Sequence, residues 1–144
     1  MTDFSTTELL APAGGRSQLE AAVRFGADAV YLAADRFGMR QRAENFTLDD
    51  IPSAAAFAHA AGVKVYVTVN TLMNQADIAA LPSYLEALDA SRADALIVSD
   101  LGAFSLAKRY APHMELHVST QASVMNAEAA RTWYDLGASR VVVA

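Results

Sequence analysis

One phrase recurs three times along this chain of 144 residues: a glycine, one to three short linking residues, then an apolar run. It reads "FGADAVYLA" (25–33), "AAGVKVYVT" (60–68) and "LGASRVVVA" (136–144). A glycine after a helical segment supplies the left-handed residue that ends a helix. The β-branched run behind it is strand-forming. Gly26, Gly62 and Gly137 are therefore each expected to stop a helix and feed a buried strand. Helix and strand units in series imply parallel pairing with right-handed crossovers. A hairpin-built β fold does not produce this pattern.

The apolar runs predict six strands: "ELLA" (8–11), "DAVYLA" (28–33), "VKVYVTV" (63–69), "ADALIVS" (93–99), "MELHVS" (114–119) and "RVVVA" (140–144). Five helices are predicted between them, near 17–25, 49–61, 76–91, 101–110 and 126–136. Ser17 and Glu20 have the spacing of a capping box for the first helix. Thr47 and Asp50 resemble a second cap, and Pro52 fits if the main helix there starts at about Ile51.

The strand faces separate two architectures. Val63, Val65, Val67 and Val69 alternate with Lys64, Tyr66, Thr68 and Asn70. In the fifth strand Met114, Leu116 and Val118 alternate with Glu115, His117 and Ser119. Residues two apart share a face, so each strand has one apolar and one polar side. A doubly wound sheet, covered by helices on both faces, favours strands apolar throughout. Helices outside and a polar interior suit a barrel wall. The expected fold is α/β, an incomplete (β/α)8 TIM-barrel-like domain of about six parallel strands and five helices. A complete barrel takes about 250 residues, so residues 1–144 read as the N-terminal portion of a longer protein.

Composition narrows the function. At 53% hydrophobic and 19% charged the chain can build a core, and its net charge of −5 offers no general attraction to nucleic acid or an anionic membrane. It has no cysteine, so it supplies neither a thiol nucleophile nor thiolate metal ligands. "MTDFSTTELL" does not read as a signal peptide, and a cytoplasmic location is expected.

In parallel α/β architectures, binding groups collect at the C-terminal ends of strands. Here those ends are "APAGG" (11–15), "AADRFGMRQRAENF" (33–46), "NTLMN" (70–74), "SDLG" (99–102) and "STQASVMN" (119–126). The first is a glycine-bearing loop opening a helix, able to receive an anion or simply to turn. The second carries Arg36, Arg40 and Arg42, forked donors for a carboxylate or phosphate or else a solvated lid edge. Asn70 is a candidate to fix a substrate amide. Asp100 is a candidate base or a helix cap. His117 and Ser119 share a strand face, but spacing alone does not make Ser119, His117 and Asp100 a triad. No predicted helix carries an H-E-x-x-H or His-x-x-x-His pair: His59 lies alone on a helix and His113 precedes a strand.

With those loops in view, the sequence resembles the N-terminal part of the peptidase U32 family, the collagenase-like proteases. The resemblance rests on "ELLAPAG", "GADAVYLA", "RFGMRQRAENFTLDD", "GVKVYVTVNTLM", "ADALIVSDLG" and "LHVSTQASVMN", in order, across residues 8–144. It implies a TIM-barrel-like domain. Members are classed as peptidases, while others act in oxygen-independent hydroxylation of RNA bases or ubiquinone precursors with a cysteine-ligated iron–sulfur cluster. Positions matching the family motifs are Arg40, Asn45, Phe46, Asn70, Ser99, Asp100, His117, Ser119, Thr120, Gln121 and Asn126. The cysteine signature lies downstream of the region represented here. Arg42 and Glu44 stand where the family tends to be small.

The leading expectation is therefore the substrate-binding barrel portion of a protease. Asp100 and His117 are its candidate catalytic residues, and Arg40, Asn45, Asn70, Ser99, Ser119 and Gln121 its substrate contacts. The alternatives are part of an iron–sulfur-dependent hydroxylation enzyme, or a non-catalytic assembly module. No cofactor is expected within this chain, and an iron–sulfur cluster is possible only in a longer parent. Expected partners are a peptide or small-molecule substrate and, through open barrel edges, further copies of the chain. Nucleic acid is not favoured by the charge, and no segment suits a membrane.

Overall fold

The computed structural model describes residues 7–39 and 46–144. Six strands form one parallel sheet in chain order: β1 (Leu10–Pro12), β2 (Ala29–Leu32), β3 (Lys64–Val69), β4 (Ala95–Val98), β5 (Glu115–Val118) and β6 (Arg140–Val141). Five helices connect them: α1 (Arg16–Arg24), α2 (Ile51–Ala60), α3 (Gln75–Ala90), α4 (Leu101–Tyr110) and α5 (Ala127–Leu136). Each strand pairs with its sequence neighbour, the arrangement of a (β/α) half-barrel. Arg40, Arg42, Glu44 and Asn45 lie outside the described residues.

The alternation behaves as the strand patterns require. Val63, Val65, Val67 and Val69 join Leu116 and Val118 in the main core, where they meet Ile51, Ala55, Leu81, Leu85, Leu88 and Phe104 from the helices. The opposite face holds a second, smaller cluster of Ala29, Tyr66, Ala95 and Ile97, with Leu10 and Tyr31 packed against it. The first cluster is the helix-to-sheet layer and the second is the barrel interior.

The glycine stops take the backbone they were expected to take. Gly26, Gly62 and Gly137 have φ of 88°, 74° and 111°, a region where a Cβ is costly. In two of the three phrases a second device sits just beyond. Asp28 accepts the backbone N–H of Leu9 at 2.7 Å, and Ser139 donates to the Leu116 carbonyl at 3.3 Å. Asp94, in the same place before β4, accepts Val65 N–H at 2.7 Å and meets His59 Nε2 at 2.8 Å. Each of these side chains ties the start of its strand to the strand before it, which fixes register at the N-terminal rim.

Two local expectations change. Ser17 does not cap α1: Gly15 is the N-cap, the Ser17 hydroxyl turns to Gln18, and Glu20 pairs with Arg16 at 2.8 Å. The ion pair at i,i+4 takes the carboxylate that the capping box would have used. β6 is also shorter than "RVVVA", covering two residues. The Thr47 cap is present. The Asp50 carboxylate accepts both the Thr47 N–H and its hydroxyl at the start of a 3-10 turn (Leu48–Asp50), and α2 begins at Ile51 with Pro52 in its first turn.

Gly137→Ala is expected to cost about 1–2 kcal/mol, the penalty for placing a Cβ in the left-handed region. Urea unfolding of the variant beside the wild type measures it, and an unchanged midpoint would remove Gly137 from the account of how α5 ends.

Candidate functional site

At the C-terminal ends of the strands lies a cavity of about 290 Å³. Its walls include Tyr31 from β2, Thr68 and Asn70 from β3, Ile97 from β4, and Ser119, Thr120 and Gln121 from the end of β5. Gly14 and Met39 close it from the loops. Its polar walls are hydroxyls and amides. Among the described residues, no Asp, Glu, Lys, Arg or His lines it.

Asn70 is the junction of this mouth. Its backbone N–H donates to the Phe37 carbonyl at 2.9 Å, and its own carbonyl accepts the Ser99 hydroxyl at 3.0 Å. Its Oδ1 accepts Met39 N–H at 3.2 Å, and its Nδ2 donates to Ser119 Oγ at 3.4 Å. Because Met39 N–H can only donate, the amide is oriented with its oxygen toward Met39 and its nitrogen toward Ser119. One side chain thus ties the loop after β2 to the end of β5.

The loop after β2 is pressed down on this junction. Phe37 has φ 61° and packs edge-on against Tyr84 at 5.0 Å, whose hydroxyl donates to the Arg36 carbonyl at 3.0 Å. A Cβ on Gly38 would stand 2.8 Å from the Ala33 Cβ. Only glycine lets the loop lie this close to the end of β2. The Arg36 guanidinium stacks on Phe37 at 4.7 Å, so it is engaged with its neighbour.

The two candidate catalytic residues are held apart from that cavity. Asp100 is the N-cap of α4, its Oδ1 accepting Ala103 N–H at 2.9 Å. His117 is 1% exposed and sits one step deeper in the barrel than Ser119. Its ring packs edge-on against Tyr66 at 4.7 Å, and its Nε2 meets Glu115 Oε2 at 3.2 Å. Around it runs an ionic floor: Glu8 accepts the Tyr66 hydroxyl at 2.8 Å and pairs with Arg140 at 2.5 Å, and Arg140 also lies over the Tyr66 ring at 5.4 Å. Burial and the Glu8 carboxylate push the Tyr66 hydroxyl up to about 12. Burial pushes the His117 imidazole below its ordinary value, with Arg140 adding to the shift and Glu115 and Glu8 opposing it.

Of the predicted contacts, the structure brings Asn70, Ser119 and Gln121 to one cavity, with Ser99 bonded behind Asn70. Tyr31, Thr68 and Met39 were not singled out as site residues. Thr68 was legible, since it shares the polar face of β3 with Asn70. Met39 arrives through a loop fold that no periodicity reports.

A family model, peptidase family U32, matches residues 14–144. The chain belongs to peptidase family U32. Among relatives, this U32 chain is 40% identical over 137 residues to "tRNA hydroxylation protein P1" of Bacillus subtilis (strain 168), covering 95% of this chain and 32% of that protein. It is 40% identical to a "Collagenase" of Porphyromonas gingivalis (strain ATCC BAA-308 / W83), covering 95% of this chain and 33% of that one. It is 37% identical to "23S rRNA 5-hydroxycytidine C2501 synthase" of Escherichia coli (strain K12), covering 95% of this chain and 20% of that one. The chain therefore spans a third or less of these relatives. A solved U32 peptidase superposes with TM-score 0.78 at 20% identity, covering 99% of this chain and 60% of that one. That likeness bears on the fold.

The family resemblance brought an iron–sulfur cluster with it, and the donor set does not fit one here. The sequence has no cysteine, and among the described residues no three His, Asp or Glu side chains gather as metal ligands.

Two measurements follow from this geometry. Asn70→Ala removes the acceptor of Met39 N–H, and should cost about 0.5–1.5 kcal/mol in urea unfolding. Stability should also fall as pH drops below about 6.5, because the unfolded chain then takes up a proton that the folded His117 resists. H117Q should flatten the change in thermal midpoint between about pH 7 and about pH 5.5. The carboxylates whose values are lowered, Glu8 and Asp50, act further into acid. A wild-type midpoint that is level across that interval would contradict this account of His117.

Proposed function

We propose that this chain is the base-binding barrel portion of a protein that hydroxylates RNA. The observation that carries the reading is the chemistry of the mouth: a largely apolar cavity whose polar groups, among the described residues, are uncharged donors and acceptors beside a tyrosine ring. Such a wall suits the edge and face of a nucleobase. The relatives named for tRNA hydroxylation and for an rRNA hydroxycytidine synthase, at 37–40% identity across nearly the whole chain, support it.

The protease reading, which led on sequence, has less support. Peptide hydrolysis needs a group that activates water within reach of the scissile carbonyl. The local candidates were Asp100 and His117. One is turned to the α4 backbone and the other lies beneath the cavity among Glu115, Tyr66 and Arg140. The relative named collagenase keeps that reading as the alternative outcome of the test.

In the proposed role these residues bind and orient the base, while oxidation falls to groups that this cysteine-free chain does not supply. The net charge of −5 gives this chain no general attraction to phosphate, so in this reading phosphate contacts fall elsewhere. An RNA substrate is consistent with a cytoplasmic setting, and among the described residues no helix is long and apolar enough to cross a membrane.

Deleting the gene in the organism that makes the protein, then analysing digested tRNA and rRNA by mass spectrometry, tests the proposal. The expected result is loss of one nucleoside an oxygen atom heavier than its parent, with gelatin cleavage unchanged. Unaltered nucleosides with lost gelatin cleavage would overturn it in favour of proteolysis.

A further inference from the structure

Hydrogen-bond accounting at the cavity wall gives one side chain a polarity. Ser119 is 3% exposed, and its Oγ receives two N–H donors, Asn70 Nδ2 at 3.4 Å and Gln121 N at 3.3 Å. A hydroxyl has two acceptor sites and one hydrogen. Both acceptor sites face groups that can only donate. The Gln121 donor is a backbone amide, and the Asn70 amide is held in orientation by Met39 N–H on its oxygen. The Ser119 hydrogen has no acceptor among the described residues, and the open direction is the cavity that Ser119 lines.

Thr68, on the same cavity, has the opposite polarity. Its hydroxyl donates to the Leu32 carbonyl at 3.3 Å, which leaves its lone pairs for a ligand donor. The wall therefore pairs a donor with an acceptor. A buried donor left unmade is costly, so the donor selects what enters.

We infer that Ser119 donates a hydrogen bond to a ring carbonyl of the bound RNA base, and that Asn70 is the positioning residue that fixes this polarity. The inference rests on the RNA-base reading above. Bases with a carbonyl beside a ring N–H, such as uracil, match the wall. Adenine has no ring carbonyl and leaves Ser119 unpaired.

Titration of the protein with free nucleosides, followed by nuclear magnetic resonance of the Gln121 amide, tests this without any turnover. Uridine should bind. Either 2-thiouridine or 4-thiouridine should bind about threefold to tenfold more weakly, because sulfur is the poorer acceptor at the contacted position. Adenosine should also bind more weakly than uridine. S119A should bind uridine and the thio analogues alike, and S119T should restore the discrimination. A cap role for Ser119 would move stability without moving this ratio. If S119A does not fold, the wild-type ratio decides alone. Equal binding of uridine, both thio analogues and adenosine, retained discrimination in S119A, or no binding of uridine overturns the inference. Retained discrimination in S119A with the RNA nucleoside lost on gene deletion would overturn only the donor assignment. The expected discrimination with unaltered cellular RNA would overturn only the hydroxylation reading.

Discussion

The two-sidedness of β3 and β5 is the constraint on which this structure depends. Valines on one face of β3 seal against α2 and α3, and the polar face cannot also be covered by helices without burying unpaired groups. The sheet must therefore turn that face inward, toward itself. Curvature, interior and mouth all follow from this single alternation. The aliphatic layer supplies the burial, and the interior supplies the chemistry.

The interior divides along the strand direction. Its floor is ionic, with Glu8, Arg140, Glu115 and His117 gathered around Tyr66. Among the described residues its mouth is neutral, with Thr68, Asn70, Ser119 and Gln121. Fixed charges at the floor answer one another and hold strands together. The uncharged mouth keeps its hydrogen-bonding capacity for a visitor. A histidine on the same strand face as a serine thus belongs to a different layer, even though only one residue separates them in sequence.

Most of the fold was legible because parallel α/β units write themselves locally. Glycine stops and alternating runs gave six strands and five helices, and α4 was predicted over the residues it occupies. The site was legible only in part. Asn70, Ser119 and Gln121 could be placed at strand ends by counting. That Asn70 points its oxygen at Met39 depends on a loop that doubles back over β3, a long-range contact with no period. Strand-face parity groups His117 with Ser119, but it says which way a side chain points and not how deep it lies. Neither Asp28, two residues past Gly26, nor Asp94, two past the left-handed Arg92, stands out, because a carboxylate just after a helix stop looks like ordinary turn composition.

The Glu8–Arg140 pair joins residues 132 positions apart, from the stretch just before the first strand to the last strand. The strand pairing in the sheet is between neighbours in the chain throughout, so the sheet is able to grow one unit at a time as the polypeptide leaves the ribosome. Glu8 emerges well before its guanidinium partner, which follows 132 positions later. Until then its carboxylate has the Tyr66 hydroxyl and the nearby Lys64 charge to answer it. Closing so long a loop adds little entropy cost beyond that of a shorter one, so the delay is set by synthesis rather than by search. The floor of this barrel is sealed from the two outer edges of the sheet, and among the six strands it is the last part to know its neighbours.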